Sequence, residues 1–209
     1  MGPMPELRRH LVDVVPVDVF EWRSSTTIPH REPVAGTEIR LISESDEGAE
    51  VLPKRFSKVT KAYLARGDRG YLATVDGSFA GWLWLSRVSH RDPFSGLRLR
   101  IAADEAYAYA MWAEPRHRQL GVGPMLMAAL LQDVEGDPAL ERVYGWVDSE
   151  NREMQVMMRV MFGFKAVQQV RRARFLHLLG WQVPGSDEPK YGPVSRAGRH
   201  SNGAVRSTE

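Results

Sequence analysis

Along this chain the apolar positions change period several times, and each change marks an element. Val15, Val17 and Val19 alternate with Pro16, Asp18 and Phe20, the period-two pattern of a strand, before Ser24-Ser25-Thr26-Thr27 and Pro29 end the run. Glu38 to Ile42 alternates again, and Ser43 to Asp46 supplies capping residues for a helical stretch that Pro53 divides. Leu52, Phe56, Val59 and Tyr63 then recur at helical spacing, which predicts an amphipathic helix ending near Gly67. Tyr71 to Val75 and Ser78 to Leu85 are β-rich runs joined by Asp76-Gly77, a pair that tolerates positive φ and so predicts a hairpin.

Beyond the hairpin, Ser89 to Gly96 reads as a polar connection and Leu97 to Ile101 as a return to strand pattern. A strand is expected from about Tyr107 to Ala113. Val122, Met125, Leu126, Ala129, Leu130 and Val134 form one helical face, closed by Gly136-Asp137-Pro138. Strand Arg142 to Val147, helix Asn151 to Phe162 with Gly163 behind it, and strands Phe164 to Val170 and Arg174 to Leu179 complete the series. From Pro184 the residues are Gly, Ser, Pro and charged without periodicity, the composition of a disordered tail.

Composition narrows what such a chain can do. Its 209 residues suit one α/β or α+β domain, and 43% apolar with 26% charged residues is ordinary globular usage. A net charge of +2 is too mild to argue for nucleic acid or an anionic membrane as principal partner. Cysteine is absent, which removes disulfides, Cys-ligated zinc and a thiol nucleophile. His30, His90, His117, His177 and His200 show no metal-ligand pairing, so no metal site is expected. Neither a signal peptide nor an apolar run of about 18 residues is found, and the chain is expected to be cytoplasmic without a membrane span.

The stretch from Met111 to Gly123 carries the chemistry. Here a strand runs into Arg118-Gln119-Leu120-Gly121-Val122-Gly123, an Arg-x-x-Gly-x-Gly turn that opens a helix. Backbone N–H groups at a helix start lack helical partners and sit at the positive end of the helix dipole, so they suit a diphosphate. Glycine keeps the approach open, Arg118 can add a cation, and Pro124 lies where a missing N–H costs nothing. Gly121→Val is therefore expected to weaken binding of such an anion while sparing the fold.

This turn, with Pro115 three residues before Arg118, resembles the signature of the GNAT acyltransferases. A second match lies downstream, where strand Val143 to Val147 leads to Ser149-Glu150-Asn151, a helix and Gly163-Phe164. The resemblance spans residues 38 to 180. It implies an α/β (α+β) fold with a central mixed, mostly antiparallel twisted sheet of about six or seven strands and about four helices. Two strands of that sheet would splay at the cofactor site. The domain would cover residues 35–182, preceded by an N-terminal arm, 1–34, with an accessory strand, and followed by the tail, 183–209.

The resemblance further implies transfer of an acetyl or other short acyl group from acetyl-CoA, or another acyl-CoA, to a primary amine by direct attack. It assigns pantetheine to the main chain of Met111, Trp112 and Ala113, with Asn151 close by. The diphosphate falls to the backbone of Arg118, Gln119, Leu120, Gly121, Val122, Gly123 and Pro124, and the oxyanion to the Ala113 N–H. The acceptor, a small molecule or a peptide amine, is not written in the motif, and the resemblance leaves room for a homodimer. A long-chain N-acyltransferase using acyl-CoA or acyl-carrier protein, and a non-catalytic acyl-CoA-binding regulatory module, stay open beside this reading.

In three places the chain departs from the pattern. The glutamate that many relatives carry on the strand is replaced by Tyr107, which shares a face with Tyr109 and alternates with Ala106, Ala108 and Ala110. Tyr107 and Glu105 are the candidates for a proton relay, although a surface carboxylate is the plainer reading of both Glu105 and Glu114. The tyrosine that serves as acid in relatives is replaced by Arg159 when counted back from Gly163, or by Met158 when counted from Asn151, as if the helix held one extra residue. Met154, Met157, Met158 and Met161 recur at helical spacing and read as adaptable core or an acyl-chain channel. Trp82 and Trp84 share a strand face, where burial is expected, and the arginines at 171, 172 and 174 read as solvated charge.

Overall fold

A computed structural model describes residues 12–29, 34–43, 51–91, 100–175 and 179–182. The helical stretch expected after Ser43, residues 92–96 of the polar connection, residues 97–99 of the strand expected after it, and the tail from 183 lie outside these residues. So do His30, His177, His200 and the arginines of the tail.

Eight strands form one sheet: β1 (Val12–Arg23), β2 (Thr37–Leu41), β3 (Arg69–Val75), β4 (Ser78–Ser86), β5 (Glu105–Ala113), β6 (Arg142–Asp148), β7 (Lys165–Phe175) and β8 (Leu179–Gln182). Their spatial order is β2-β3-β4-β5-β6-β1-β7-β8. The pair β5–β6 is parallel and the other neighbours run antiparallel. Helix α1 (Lys54–Ala65) packs on one face, and α2 (Val122–Glu135) and α3 (Arg152–Val156) on the other. Among these residues no helix is long and apolar enough to cross a membrane.

The hairpin expected at Asp76-Gly77 joins β3 to β4, with both residues at positive φ (49° and 74°), as a two-residue turn of the twist-matched kind requires. Pro53 occupies the N-cap of α1, whose Phe56, Val59 and Tyr63 meet the sheet, and Gly67 follows the helix end at φ 84°. The strand expected at Arg174 to Leu179 divides differently: β7 continues through Arg171-Arg172 to Phe175, and β8 begins at Leu179.

The N-terminal arm is not accessory. β1 lies inside the sheet, paired with β6 on one edge and β7 on the other, and brings the strand number to eight. Val17 and Val19 enter the core on the α1 face while Phe20 and Trp22 enter it beneath α3. Pro16 fits an interior strand because β6 stops opposite Val17, so the missing N–H falls where no ladder bond is due. The Pro16 carbonyl there accepts from Ser149 N at 3.0 Å.

Candidate active site

The parallel pair β5–β6 is a V, joined at one end and open at the other. Pairing holds from Glu105↔Arg142 to Tyr107↔Tyr144 and then ceases, although both strands continue. A bulge opens it. Trp82 faces Trp112 while Trp84 faces Tyr109, so β5 carries an extra residue there, and Ala110 takes φ 53° to absorb it. A positive φ on a residue with a Cβ is a cost that surrounding structure must sustain, and such outliers gather at functional sites. β6 stays registered with β1 along its length, so the divergence falls entirely on the β5 side. The result is a cavity of about 460 Å³ between the strands.

At its far end β5 turns main-chain groups away from β4, toward the β6 side. Glu114 N donates to Ala80 O at 2.8 Å across the β4–β5 ladder, so its neighbour Ala113, opposite Gly81, turns its N–H and carbonyl toward the open side. The Ala113 carbonyl accepts from Arg118 Nε at 3.2 Å, which ties the turn arginine to the end of the strand.

The turn itself is open. Pro115–Leu120 forms a 3-10 helix, and Gly121, at φ 73°, serves as its C-cap and as the N-cap of α2. A Cβ added at Gly121 would meet nothing within 4 Å, and one at Gly123 only Met111 Sδ at 3.7 Å. Gly121 makes no side-chain cap bond and the first turn of α2 holds no acidic residue, so the Val122 and Gly123 amides keep the partnerless position of a helix start. Val122 is buried against the sheet, Gln119 and Arg118 are exposed, and Pro124 follows within the first turn. Met111 lines the cavity and touches the Gly123 position, linking cleft to turn.

The carboxylates expected beside the strand are neither exposed nor unpaired. Glu105 is 1% exposed, accepts from Ala102 N at 3.0 Å and lies 3.2 Å from Arg142 at the closed end of the V. Burial raises its pKa, opposed by the Ala102 N–H and the Arg142 charge. It clasps the joined strands and does not line the cavity. Glu114 is held by Arg55 at 2.6 Å. Tyr107 and Tyr109 do line the cavity, stacked with ring centroids 5.7 Å apart.

Behind Tyr109 stands a carboxylate the sequence did not single out. Tyr109 Oη donates to Asp68 Oδ2 at 2.5 Å and accepts from Arg66 Nη2 at 2.6 Å, while Arg66 and Asp68 form an ion pair. Burial, then the Asp68 hydrogen bond and charge, push the Tyr109 phenol upward, so it stays protonated. Among the described residues no group of three or more His, Cys, Asp or Glu is placed to hold a metal ion.

Comparison with known proteins now decides the family. The sequence model of the acetyltransferase (GNAT) family matches residues 37–164. The chain belongs to the GNAT acetyltransferase family. No curated protein matches it in sequence. Among solved structures it is similar to an N-acetyltransferase from Sphaerobacter thermophilus, at 16% identity and TM-score 0.57 over 85% of this chain and 56% of that one. It is also similar to a tandem GNAT protein from the clavulanic acid biosynthesis pathway, at 17% and 0.54 over 84% and 59%. A Drosophila protein gives 12% and 0.53 over 81% and 54%. At these identities the likeness is one of fold, and the chain spans just over half the length of these three structures.

The end of α3 departs from regular helix, which accounts for the one-residue disagreement between the two counts. After Val156 the helix widens into a π turn, Met157–Met161, with Phe162 N bonded back to Met157 O at 3.3 Å. A π turn accommodates one extra residue. It rotates Met158, 2% exposed, into the cavity and leaves Arg159 outside, its guanidinium 5.3 Å over the Phe20 ring. Met154 also lines the cavity, whereas Met157 is buried core. Asn151 lines it too, and its Oδ1 caps α3 by accepting from Met154 N at 3.1 Å. Phe56, Trp146, Asp148 and Met127 are also in the walls, and none of them carries a motif that sequence reading could have isolated.

Proposed function

We propose that this chain is an N-acyltransferase that moves an acetyl or other short acyl group from acyl-CoA to a primary amine. The observation that carries the reading is a single continuity: a cleft between splayed β5 and β6 leads past Met111 to the open Gly121–Gly123 helix start. A long anionic thioester needs both a strand edge for its amides and partnerless N–H groups for its phosphates. The residues present fit that ligand: Met111 and Ala113 along the edge, with Trp112 between them, and the Val122 and Gly123 amides with Arg118 at the turn, Gly121 leaving the approach open. Acyl-CoA supplies an activated acyl carbon on a good leaving group.

This chain's residues then position and polarise. The Ala113 N–H, on the side of β5 away from β4, would stabilise negative charge on an acyl oxygen. The ammonium proton leaves to water on the side of the cleft that Tyr107 and Tyr109 line. We assign no proton-transfer role to Glu105, which is spent on Arg142 and Ala102. With Met158 at the helix position facing the cleft, the departing sulfur takes its proton from water.

The test is acetyl-CoA binding by calorimetry together with CoA release in the presence of pooled amines. Because the chain has no cysteine, a thiol reagent reads CoA without background from the protein. Binding without release across a broad amine panel would favour a non-catalytic acyl-CoA-binding module. Absence of binding would overturn the site.

Acyl length gives a further expected result. Met158 borders the α2 side of the cleft beside Gly145, where an added Cβ would meet its Cε at 3.0 Å. Met158→Ala should raise kcat/KM for butyryl-CoA relative to acetyl-CoA about tenfold, at a stability cost of about 2–5 kcal/mol for the lost buried side chain. An unchanged donor profile in the folded variant would place the acyl end elsewhere.

A further inference from the structure

The two faces of the cleft differ in chemistry, and the difference defines an acceptor. On the α2 side the walls are small or flexible, with Ala108, Met111, Met127, Gly145 and Met158. On the α1 side they are aromatic: Phe56 from α1, Trp82 from β4, Tyr107, Tyr109 and Trp112 from β5, and Trp146 from β6. The bulge at Ala110 creates this asymmetry. Without it Trp112 would fall on the other face from Tyr107 and Tyr109; with it, Trp112 meets Phe56 at 6.3 Å between ring centroids. Phe56 in turn lies 4.3 Å from Trp82. Trp112 is 37% exposed, so the aromatic wall reaches the mouth of the cleft.

Charge selects among the amines that such a wall could receive. Among the described residues the lining contains no Lys or Arg, and its one charged side chain, Asp148, already has Arg172 at 3.6 Å. Guanidinium groups back the wall from outside: Arg55 lies 4.7 Å from the Phe56 centroid, Arg66 5.7 Å from Tyr109 and Arg172 5.5 Å from Trp146. An acceptor with several positive charges would meet these cations beside Phe56, Tyr109 and Trp146. A peptide would bring amides into a wall that offers few hydrogen-bonding groups. One ammonium on an aromatic body carries the least of that repulsion and no peptide amides, and its ring pairs edge-to-face or offset with those already present.

We propose, resting on the acyltransferase reading above, that the acceptor is an arylalkyl monoamine seated against the Phe56–Trp82–Trp112 wall. In the transfer the amine sheds its ammonium proton to water beside Tyr107 and Tyr109. Its nitrogen bonds to the acyl carbon, the thioester C–S bond breaks, and the nitrogen's second proton leaves as the sulfur gains one. One amide, one thiol and one net proton result.

The experiment uses the full chain at saturating acetyl-CoA, with 2-phenylethylamine and tryptamine set against spermidine and a lysine-containing peptide. The arylalkylamines should exceed the other two at least 100-fold in kcat/KM. Phe56→Ala should raise KM for 2-phenylethylamine about tenfold with acetyl-CoA Kd unchanged, and Phe56→Tyr should restore it. Equal or better turnover of spermidine or peptide would overturn the proposal. So would failure of 2-phenylethylamine to bind the protein saturated with CoA, measured by calorimetry without turnover. Both results leave acetyl-CoA binding intact, which distinguishes them from collapse of the acyltransferase reading, where acetyl-CoA itself does not bind.

Discussion

Gly123→Asp is expected to weaken acetyl-CoA binding at least 100-fold, about 2.7 kcal/mol, while thermal stability holds or rises. Two effects of one carboxylate separate here. Gly123 is the second residue of α2 and has no positive φ, and a Cβ there meets only Met111 Sδ at 3.7 Å, so the backbone accepts a side chain. An acid in the first turn of a helix that has none interacts favourably with the dipole, by about 0.3–1 kcal/mol. The same charge occupies the place where diphosphate oxygens would meet the Val122 and Gly123 amides, and repels them. Gly121→Val separates these effects poorly. At φ 73° a β-branched residue is a backbone outlier, so the expectation that it spares the fold does not hold. Calorimetry with acetyl-CoA beside a thermal melt checks the prediction, and wild-type affinity in Gly123→Asp would remove the turn from the ligand site.

Features set by one or two residues were legible in the sequence. Asp76-Gly77 announced its hairpin because few residues accept positive φ twice in succession, and Gly121 announced the helix start for the related reason that its φ of 73° favours a residue without a Cβ. The tyrosine face of β5 followed from alternation as far as Tyr109, and failed at Ala110 because a bulge is an extra residue that leaves no mark in composition. At α3 the count disagreed by one, and the π turn is the structural form of that disagreement. Asp68 could not be found in this way. It lies after α1, and only the folding of α1 onto the sheet brings it under the Tyr109 phenol. Glu105 shows the converse: its sequence position suggested a base flanking the strand, whereas the parallel register sets it against Arg142 as a clasp.

Removing residues 1–23 should leave a chain without a cooperative unfolding transition, and the reason lies in where β1 sits. Alternation identified the strand but not its partners, because pairing is a long-range choice. Without β1 the inner edges of β6 and β7 lose their ladder, and Val17, Val19, Phe20 and Trp22 leave both faces of the core. Trp22→Ala alone, at a side chain 1% exposed, should cost about 3–5 kcal/mol, a large part of the 5–15 kcal/mol that typically holds a domain together. Function depends on the same strand. β1 holds β6, which supplies Trp146 and Asp148 to the cleft, and Asp18 on β1 gathers the segment leading into α3. Its Oδ2 accepts from Ser149 Oγ at 2.9 Å and Gln155 Nε2 at 3.0 Å, and its Oδ1 from Gln169 Nε2 at 2.9 Å. Asp18→Ala should therefore loosen the α3 wall and weaken acetyl-CoA binding several-fold, with a smaller loss of stability than Trp22→Ala. A soluble 24–209 fragment that melts cooperatively near the wild-type temperature would show that β6 and β7 can close without β1.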